Sequence, residues 1–335
     1  MSMCNKSILG VSGNIWEYTP HVVDGTLAYL TIACTTRCNF KCTFCSKSGQ
    51  SVQDIDYHLL LKTLEEAVSL GLQKVELTGG EALLYPHFWD IVSYLKQNNC
   101  TILLVTNGSL IDRQTAQKLM AARVNVSVSL NSLEEKTFDS LAGVSQKLST
   151  VLDGLEYLKE FGGKSDNYPF VTIQCLASKD KMEELYLLRD FANGKGYGFI
   201  LNRAIPVGGL RAENVPGADV LRAFLQSASD GPVEIPFSGD APCNRLRVGC
   251  YIGSDGEVKP CPSMDLSAGN IKEHCLTEIW KNSELLENCR TISNRLKGSC
   301  RTCQHNNRCY GCRAAAYAIS GDLYGPDTGC FNHQP

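Results

Sequence analysis

The sequence has no long apolar run and no strong excess of charge of either sign. No stretch approaches the roughly 18 apolar residues of a membrane helix, and the opening MSMCNKSILGVSGNIWEYTP lacks the apolar core of a signal peptide. Its 32 Lys and Arg residues are scattered among 35 Asp and Glu residues, and the net charge is −3. Phosphate binding needs clustered basic residues. We therefore expect a cytoplasmic protein that binds neither nucleic acid nor membrane.

Histidine is scarce and cysteine is abundant. Only six histidines are present and none is paired, which gives little support to a TIM-barrel hydrolase with His and carboxylate clusters at its strand ends. Seventeen cysteines in a reducing compartment are difficult to assign to disulfides. Metal or cluster ligation is the leading interpretation, although a free cysteine is often a small buried apolar residue.

Short apolar runs alternate with segments of helical periodicity between about residues 27 and 205. The six strand-like runs are LAYLTIA, KVELT, TILLV, NVSVSL, FVTIQCL and GFILNRAI. This alternation predicts an α/β fold with a parallel sheet built from βαβ units. From about 206 a connector with one helix follows, and after 235 the chain is Cys-rich and is expected to be irregular. We predict an N-terminal extension (1–26), a barrel (27–210), a linker (211–235) and a C-terminal domain (236–335).

Three cysteines follow the first strand in the segment TTRCNFKCTFCSKSG. Cys38, Cys42 and Cys45 therefore lie at the carboxyl end of a parallel sheet, where such folds place their chemistry. A zinc site requires four ligands, whereas three cysteines can hold three irons of a cubane cluster and leave the fourth iron open. An iron–sulfur cluster is favoured, with zinc or unrelated buried thiols as alternatives.

This segment resembles the Cx3Cx2C loop of the radical S-adenosylmethionine (SAM) family, including an aromatic residue, Phe44, before the third cysteine. The family fold is a partial (β/α)6 TIM-like barrel. In LTGGEALLYP, the residues Gly79, Gly80 and Glu81 resemble the family's GGE motif, which contacts the methionine amino group of SAM.

The resemblance extends to the next two strand ends. It suggests Asn107 near the cofactor and Ser129 near the carboxylate or ribose of SAM, although the NG at 107 is also a common turn. The chain departs from the family's SLDG pattern at Asn131. Gln174 and Arg203, late on the fifth and sixth strands, could face the open mouth of the barrel. Of the six cysteines outside the proposed ligands, Cys34 and Cys175 are the two placed to donate a hydrogen atom to a substrate radical.

Eight cysteines occupy the C-terminal hundred residues. They are Cys243, Cys250, Cys261, Cys300, Cys303, Cys309, Cys312 and Cys330. Two CxxC pairs could form a zinc ribbon, and eight cysteines could also hold two four-coordinate clusters. The spacing resembles the SPASM (twitch-type) extension of radical SAM enzymes, which binds two auxiliary [4Fe-4S] clusters. By that resemblance, one set (the inner cysteines) is Cys243, Cys250, Cys261 and Cys312, and the other (the outer cysteines) is Cys300, Cys303, Cys309 and Cys330.

The resemblance implies SAM and three [4Fe-4S] clusters as cofactors, with a flavodoxin- or ferredoxin-type electron donor. Such an enzyme cleaves SAM reductively and abstracts a substrate hydrogen through the 5'-deoxyadenosyl radical. Auxiliary clusters suggest an oxidative outcome, because a substrate radical that loses an electron needs a nearby acceptor. The expected substrate is a ribosomally made peptide. The alternatives are tetrapyrrole side-chain decarboxylation, aminosugar dehydrogenation or epimerisation and, outside the family, a zinc-ribbon binding protein.

Overall fold

The computed structural model describes residues 25–47, 49–162, 164–165, 168–169, 171–227, 245–306 and 309–330. Cys243, most of the predicted N-terminal extension and part of the predicted linker lie outside these ranges. The strands are β1 (Tyr29–Thr35), β2 (Lys74–Gly79), β3 (Thr101–Thr106), β4 (Asn125–Ser129), β5 (Lys164–Ser165), β6 (Tyr168–Pro169), β7 (Val171–Ala177), β8 (Gly198–Arg203), β9 (Gly249–Ile252), β10 (Glu257–Lys259) and β11 (Gly269–Asn270).

Nine of these strands form one sheet in the order β11-β10-β9-β1-β2-β3-β4-β7-β8, and β5 and β6 form a separate hairpin. The six strands from β1 to β8 in this sheet are parallel and correspond to the six strand-like runs of the sequence. Their carboxyl ends therefore meet at one edge. In the described part of the chain no strand pairs with the outer side of β8, so the sheet is open there, as expected for a partial barrel.

Twelve α-helices are described. They are α1 (Tyr57–Ser69), α2 (Phe88–Gln97), α3 (Arg113–Ala121), α4 (Glu135–Ala142), α5 (Leu148–Phe161), α6 (Met182–Lys195), α7 (Ala218–Gln226), α8 (Arg245–Val248), α9 (Leu276–Asn282), α10 (Glu284–Arg290), α11 (Gly298–Thr302) and α12 (Arg313–Ser320). None of the described helices is long and apolar enough to cross a membrane.

Local sequence explains where several of these helices begin and end. Asp56 and Asp112 cap α1 and α3 by accepting hydrogen bonds from the backbone N–H groups of Leu59 and Thr115, at 2.8 and 2.7 Å. Gly71 follows α1 with a φ of +96°, as its position after the helix predicts. Helix α4 was not predicted from the sequence, because it is short and follows the fourth strand closely.

The expectation that the chain is irregular after residue 235 is wrong for the described part of that region. Strand β9 pairs in parallel with β1, and Cys250 lies opposite Leu30. Strands β10 and β11 continue the sheet in antiparallel order. These strands have only two to four residues, too few to show a hydrophobic period. Strand β9 pairs with β1, more than 200 positions earlier, so the local sequence does not reveal that pairing.

The C-terminal region also shares the main hydrophobic core. Trp280 of α9 is buried in the core that contains the barrel strands, and its indole N–H donates to the Gly25 carbonyl at 2.7 Å. The backbone N–H of Thr277 donates to Glu66 of α1 at 2.9 Å. The predicted boundaries between barrel, linker and C-terminal domain stay a prediction.

Candidate active site and iron–sulfur ligands

A cavity of about 550 Å³ contains most of the predicted cofactor ligands. Its lining includes the three loop cysteines and two of the C-terminal cysteines, Cys261 and Cys312. The predicted SAM contacts Phe44, Gly79, Gly80, Asn107 and Ser129 also line it, as do Gln174 and Arg203. Residues from six strands and from the C-terminal region therefore meet at one internal space.

The three loop cysteines lie close together on a loop that is held at its backbone. The N–H groups of Lys41 and Thr43 donate to the carbonyls of Ala142 and Leu141 at the end of α4, at 2.9 and 3.0 Å. Burial, followed by the neighbouring Cys38 and Cys45 thiols, raises the pKa of Cys42 to about 12. Burial likewise raises the pKa of Cys38. Binding of iron must therefore displace protons from this loop.

Glycine is required at position 80 because two loops approach each other there. A Cβ on Gly80 would lie 2.2 Å from the Arg37 carbonyl oxygen, which belongs to the cysteine loop. The Gly80 N–H donates to the Thr35 carbonyl at 2.7 Å, and the Glu81 N–H donates to the Arg37 carbonyl at 2.7 Å. The GGE segment thus supports the start of the cysteine loop.

The Glu81 carboxylate is buried in the protein and does not line the cavity. It accepts hydrogen bonds from the Thr106 hydroxyl (2.8 Å) and from the backbone N–H groups of Asn107 (2.8 Å) and Leu83 (3.2 Å). Burial raises the pKa of Glu81, and these three donors oppose that shift. The side chain therefore fixes the turn that carries Asn107.

Three polar side chains form a chain of hydrogen bonds across neighbouring strand ends. The Gln174 amide donates to the Ser129 hydroxyl at 2.7 Å, and the Asn202 amide donates to the Gln174 carbonyl oxygen at 3.4 Å. Asn131, where the chain departs from the SLDG pattern, accepts from the Leu176 N–H at 2.8 Å. This arrangement leaves the Ser129 hydroxyl proton available to an acceptor in the cavity.

One carboxylate, Glu76, lines the cavity among the described residues. It accepts a hydrogen bond from the Tyr29 hydroxyl at 2.8 Å and forms an ion pair with Arg245 at 3.3 Å. The Arg245 guanidinium also lies over the Tyr29 ring, 5.1 Å from its centroid. The cavity wall thus contains a buried acid whose charge is already paired.

Three of the four proposed inner cysteines are described, and Cys261 shares a pocket with each of the other two. Cys261 and Cys312 line the large cavity, and Cys250 and Cys261 line a second, small pocket of about 10 Å³. Burial raises the pKa of Cys250 to about 12. The fourth, Cys243, lies outside the described residues.

The proposed outer cysteines gather around the segments before α12 and after it. Cys309 lies close enough to Cys330 and Cys300 for their charges to act on it. Burial first, and then these neighbours and Asp327, raise the pKa of Cys309 to about 11. Cys303 directly follows α11, which contains Cys300.

A buried ion pair connects the barrel to both sets of C-terminal cysteines. Both guanidinium amino groups of Arg203 donate to the Asp327 carboxylate at 2.9 Å. The same carboxylate accepts from the backbone N–H of Cys312 at 2.7 Å, and the Asp327 N–H donates to the Cys300 sulfur at 3.5 Å. Burial opposes ionisation, but Arg203 and the backbone donors hold the pKa of Asp327 below its ordinary value.

Cys34 and Cys175 do not line the cavity. Both are buried, and their thiols donate to the carbonyls of Ile32 (4.0 Å) and Ile200 (3.8 Å). Burial raises the pKa of both thiols. In this arrangement, neither thiol is placed to donate a hydrogen atom to a molecule in the cavity.

The cysteine surroundings fit iron–sulfur clusters. Four cysteine sulfurs accept a hydrogen bond from the backbone N–H two residues later, the kind of donor that stabilises cluster thiolates. The pairs are Phe40 to Cys38 (3.4 Å), Lys47 to Cys45 (3.3 Å), His305 to Cys303 (3.4 Å) and Gly311 to Cys309 (3.4 Å). Within the described ranges no three Cys, His, Asp or Glu side chains converge on a single metal ion. A four-iron cube spaces its ligands further apart and needs no such convergence.

Four further site residues were not predicted from the sequence: Asp327, Arg313, Glu76 and Arg245. Asp327 lies three positions before Cys330 and Arg313 directly follows Cys312, so their places within the cysteine-rich segment were an available signal. Glu76 lies inside the apolar run KVELT. A charged residue in an otherwise apolar strand is unusual and could have drawn attention.

Two family models match the chain. The radical SAM superfamily model matches residues 32–185, and the SPASM model, described as an iron–sulfur cluster-binding domain, matches residues 243–304. The first match contains the three-cysteine loop and the GGE segment. The second begins at Cys243 and ends just after Cys303.

Similar proteins span nearly the whole chain. The AdoMet-dependent heme synthase of Methanosarcina barkeri is 29% identical over 89% of this chain and 94% of that protein. The mycofactocin maturase MftC of Mycobacterium tuberculosis is 26% identical over 90% of this chain and 82% of that protein. The structure of Streptococcus suis SuiB bound to S-adenosylmethionine superposes with a TM-score of 0.72 at 20% identity, covering 92% of this chain and 78% of that one.

These matches decide against a TIM-barrel hydrolase and against a zinc-ribbon binding protein. They agree with the α/β fold. The chain belongs to the radical SAM superfamily and is an iron–sulfur enzyme with a C-terminal SPASM domain.

Proposed function

We propose that this enzyme oxidatively modifies a ribosomally made peptide, using one SAM-binding and two auxiliary [4Fe-4S] clusters. The observation that carries the proposal is the shared cavity, because Cys38, Cys42 and Cys45 line it together with Cys261 and Cys312. A substrate held there lies between the SAM-binding loop and the inner cysteines. When bound, the cluster and SAM supply the 5'-deoxyadenosyl radical that abstracts a substrate hydrogen atom.

Backbone and polar side chains of the strand ends would hold SAM. Gly79 and Gly80 present backbone without side chains, and Asn107 and Ser129 contribute polar groups to the same cavity. Phe44 supplies an aromatic face. Glu81 acts differently from the other proposed contacts, because its carboxylate accepts a hydrogen bond from the backbone N–H of Asn107 and so fixes that turn.

The arrangement of Cys309 near Cys330 and Cys300 supports the outer cluster assignment. Shared pockets support the grouping of Cys250, Cys261 and Cys312 as inner ligands. A flavodoxin- or ferredoxin-type partner would supply the electron, because these clusters require a low-potential donor.

The open edge of the sheet supports a peptide substrate. Strand β8 ends the sheet in the described ranges, and Ile200, Leu201, Asn202 and Arg203 of that strand line the cavity. An extended peptide can hydrogen-bond to such an edge and place a side chain in the adjacent pocket. The curated relative MftC is named as a maturase, which agrees with this class of substrate.

A tetrapyrrole is the second candidate substrate. The observation in its favour is the match to an AdoMet-dependent heme synthase. That protein is 29% identical to this chain, and the match covers 94% of its length. The cavity is also lined by many apolar side chains, among them Phe40, Phe138 and Leu103, which suit a flat apolar ring.

Replacement of any loop cysteine should abolish reductive SAM cleavage. Cys38→Ala, Cys42→Ala and Cys45→Ala each remove one of three ligands from the cluster that binds SAM. Anaerobic incubation with SAM and dithionite, followed by chromatography of 5'-deoxyadenosine, measures the effect. Cys275→Ala, which removes an exposed cysteine outside the proposed ligands, should leave cleavage unchanged. Cleavage retained in any loop variant would contradict the assignment of that cysteine.

Glu81→Gln should weaken SAM binding while the clusters are retained. The amide replaces one carboxylate oxygen with a donor, so at least one of the three donors to Glu81 loses its acceptor. An unsatisfied buried group costs about 1–3 kcal/mol, and the Asn107 turn should loosen. Titration calorimetry with SAM measures the affinity, and iron content is measured in parallel. Glu65→Gln, on an exposed part of α1, is the control. Unchanged affinity in Glu81→Gln would contradict the positioning role.

The two substrate classes can be separated by mass spectrometry. The reconstituted enzyme is incubated with SAM, dithionite and either synthetic peptides encoded by short reading frames beside its gene or a tetrapyrrole with carboxylated side chains. We expect a peptide product that has lost two hydrogen atoms. Loss of carbon dioxide from the tetrapyrrole with unmodified peptides would overturn the peptide proposal and support the second candidate. SAM cleavage without either product would contradict both.

A further inference from the structure

Arg313 is a fully buried arginine beside the outer cysteines. It follows Cys312 at the start of α12 and is 1% exposed. One guanidinium amino group donates to the carbonyls of Leu323 (3.1 Å) and Gly325 (2.6 Å). The other donates to the Cys300 sulfur at 3.9 Å. The Nε–H group has no hydrogen-bond partner in the described part of the chain.

No carboxylate among the described residues forms an ion pair with this guanidinium. The two acids in its vicinity are already paired: Asp327 holds Arg203 through two hydrogen bonds, and Asp322 binds Lys297 at 2.8 Å. The pair of Asp327 and Arg203 has no net charge. Within the described ranges, Arg313 therefore adds to a buried region a positive charge that no ion pair neutralises.

A buried charge without a counter-charge is strongly unfavourable. The group that can compensate Arg313 is the Cys300 sulfur, 3.9 Å from its guanidinium, because a cluster bound by thiolates is negative. The unpartnered Nε–H adds a donor for which such a cluster would provide sulfur acceptors.

We propose that Arg313 compensates the negative charge of the outer auxiliary cluster and raises its reduction potential. The proposal rests on the cluster assignment of the proposed function. Reduction adds a negative charge, which a nearby buried cation stabilises. With a higher reduction potential, the outer cluster would more readily accept and retain an electron from the substrate. Arg313 is in this sense a positioning residue, since it acts on the cluster and not on the substrate.

The test is a redox titration of the reconstituted enzyme, monitored by electron paramagnetic resonance. Replacing Cys38, Cys42 and Cys45 together by Ala in every sample removes the signal of the SAM-binding cluster. Into this background we introduce Arg313→Gln, Arg313→Met and Arg313→Lys. Arg301→Met is the matched control, because Arg301 is next to Cys300 but exposed to solvent, where its charge is screened.

Arg313→Gln and Arg313→Met should lower the midpoint potential of one auxiliary cluster. The expected shift is at least tenfold in the ratio of oxidised to reduced cluster, equivalent to about 59 mV for one electron. Arg313→Lys and Arg301→Met should stay near the parent value. Gln retains an amide that can donate to the carbonyls of Leu323 and Gly325, so it remains informative if Met disturbs folding.

A purely structural role predicts a different pattern. If anchoring of the two carbonyls were all that mattered, Lys would change the potential as much as Gln or more. That result, or an unchanged potential in Gln and Met at full iron content, would overturn the role of Arg313. A parent enzyme with only one auxiliary cluster signal would instead overturn the cluster assignment, and the inference with it.

Discussion

The parallel pairing of β9 with β1 is the contact on which the rest of the site depends. It extends the barrel sheet into the C-terminal region and places Cys250 opposite Leu30. The loop that follows β1 carries Cys38, Cys42 and Cys45, so one strand connects two groups of proposed ligands. Because β10 returns antiparallel to β9, Cys261 comes back to the cavity that the loop cysteines line. As a result, the loop cysteines and two of the proposed inner cysteines line the same cavity.

The acidic side chains of the site are stabilised in two ways, by ion pairs and by neutral hydrogen-bond donors. Glu76 in the cavity wall is paired with Arg245, and Asp327 between the C-terminal cysteines is paired with Arg203. Glu81 is held by neutral donors alone and fixes the turn beneath the proposed SAM site. Glu81, Asp327 and Arg203 are buried, and electrostatic interactions are strong away from water. The protein thus supplies fixed dipoles and charges around cofactors that perform the radical chemistry.

The sequence predicted the six parallel strands and the cysteine loop well, because both carry local signals. Alternating apolar runs identify strands, and a three-cysteine spacing needs no tertiary information. Strand β9 could not be predicted, since four residues show no period and their partner is distant. The role of Glu81 was also inaccessible, because the motif locates the residue but not the direction of its side chain. The ion pair of Asp327 with Arg203 of β8 could not be predicted either, because the two residues are distant in sequence and meet only in the folded chain.

We propose that eleven cysteines hold three clusters, one that binds SAM and two that are auxiliary. The direct test is to measure iron, sulfide and zinc per chain after anaerobic reconstitution. We expect about twelve irons per chain and no zinc, since three cubanes contain four irons each. About four irons accompanied by zinc would contradict it, because the C-terminal cysteines would then form a structural zinc site with no electron acceptor near the substrate.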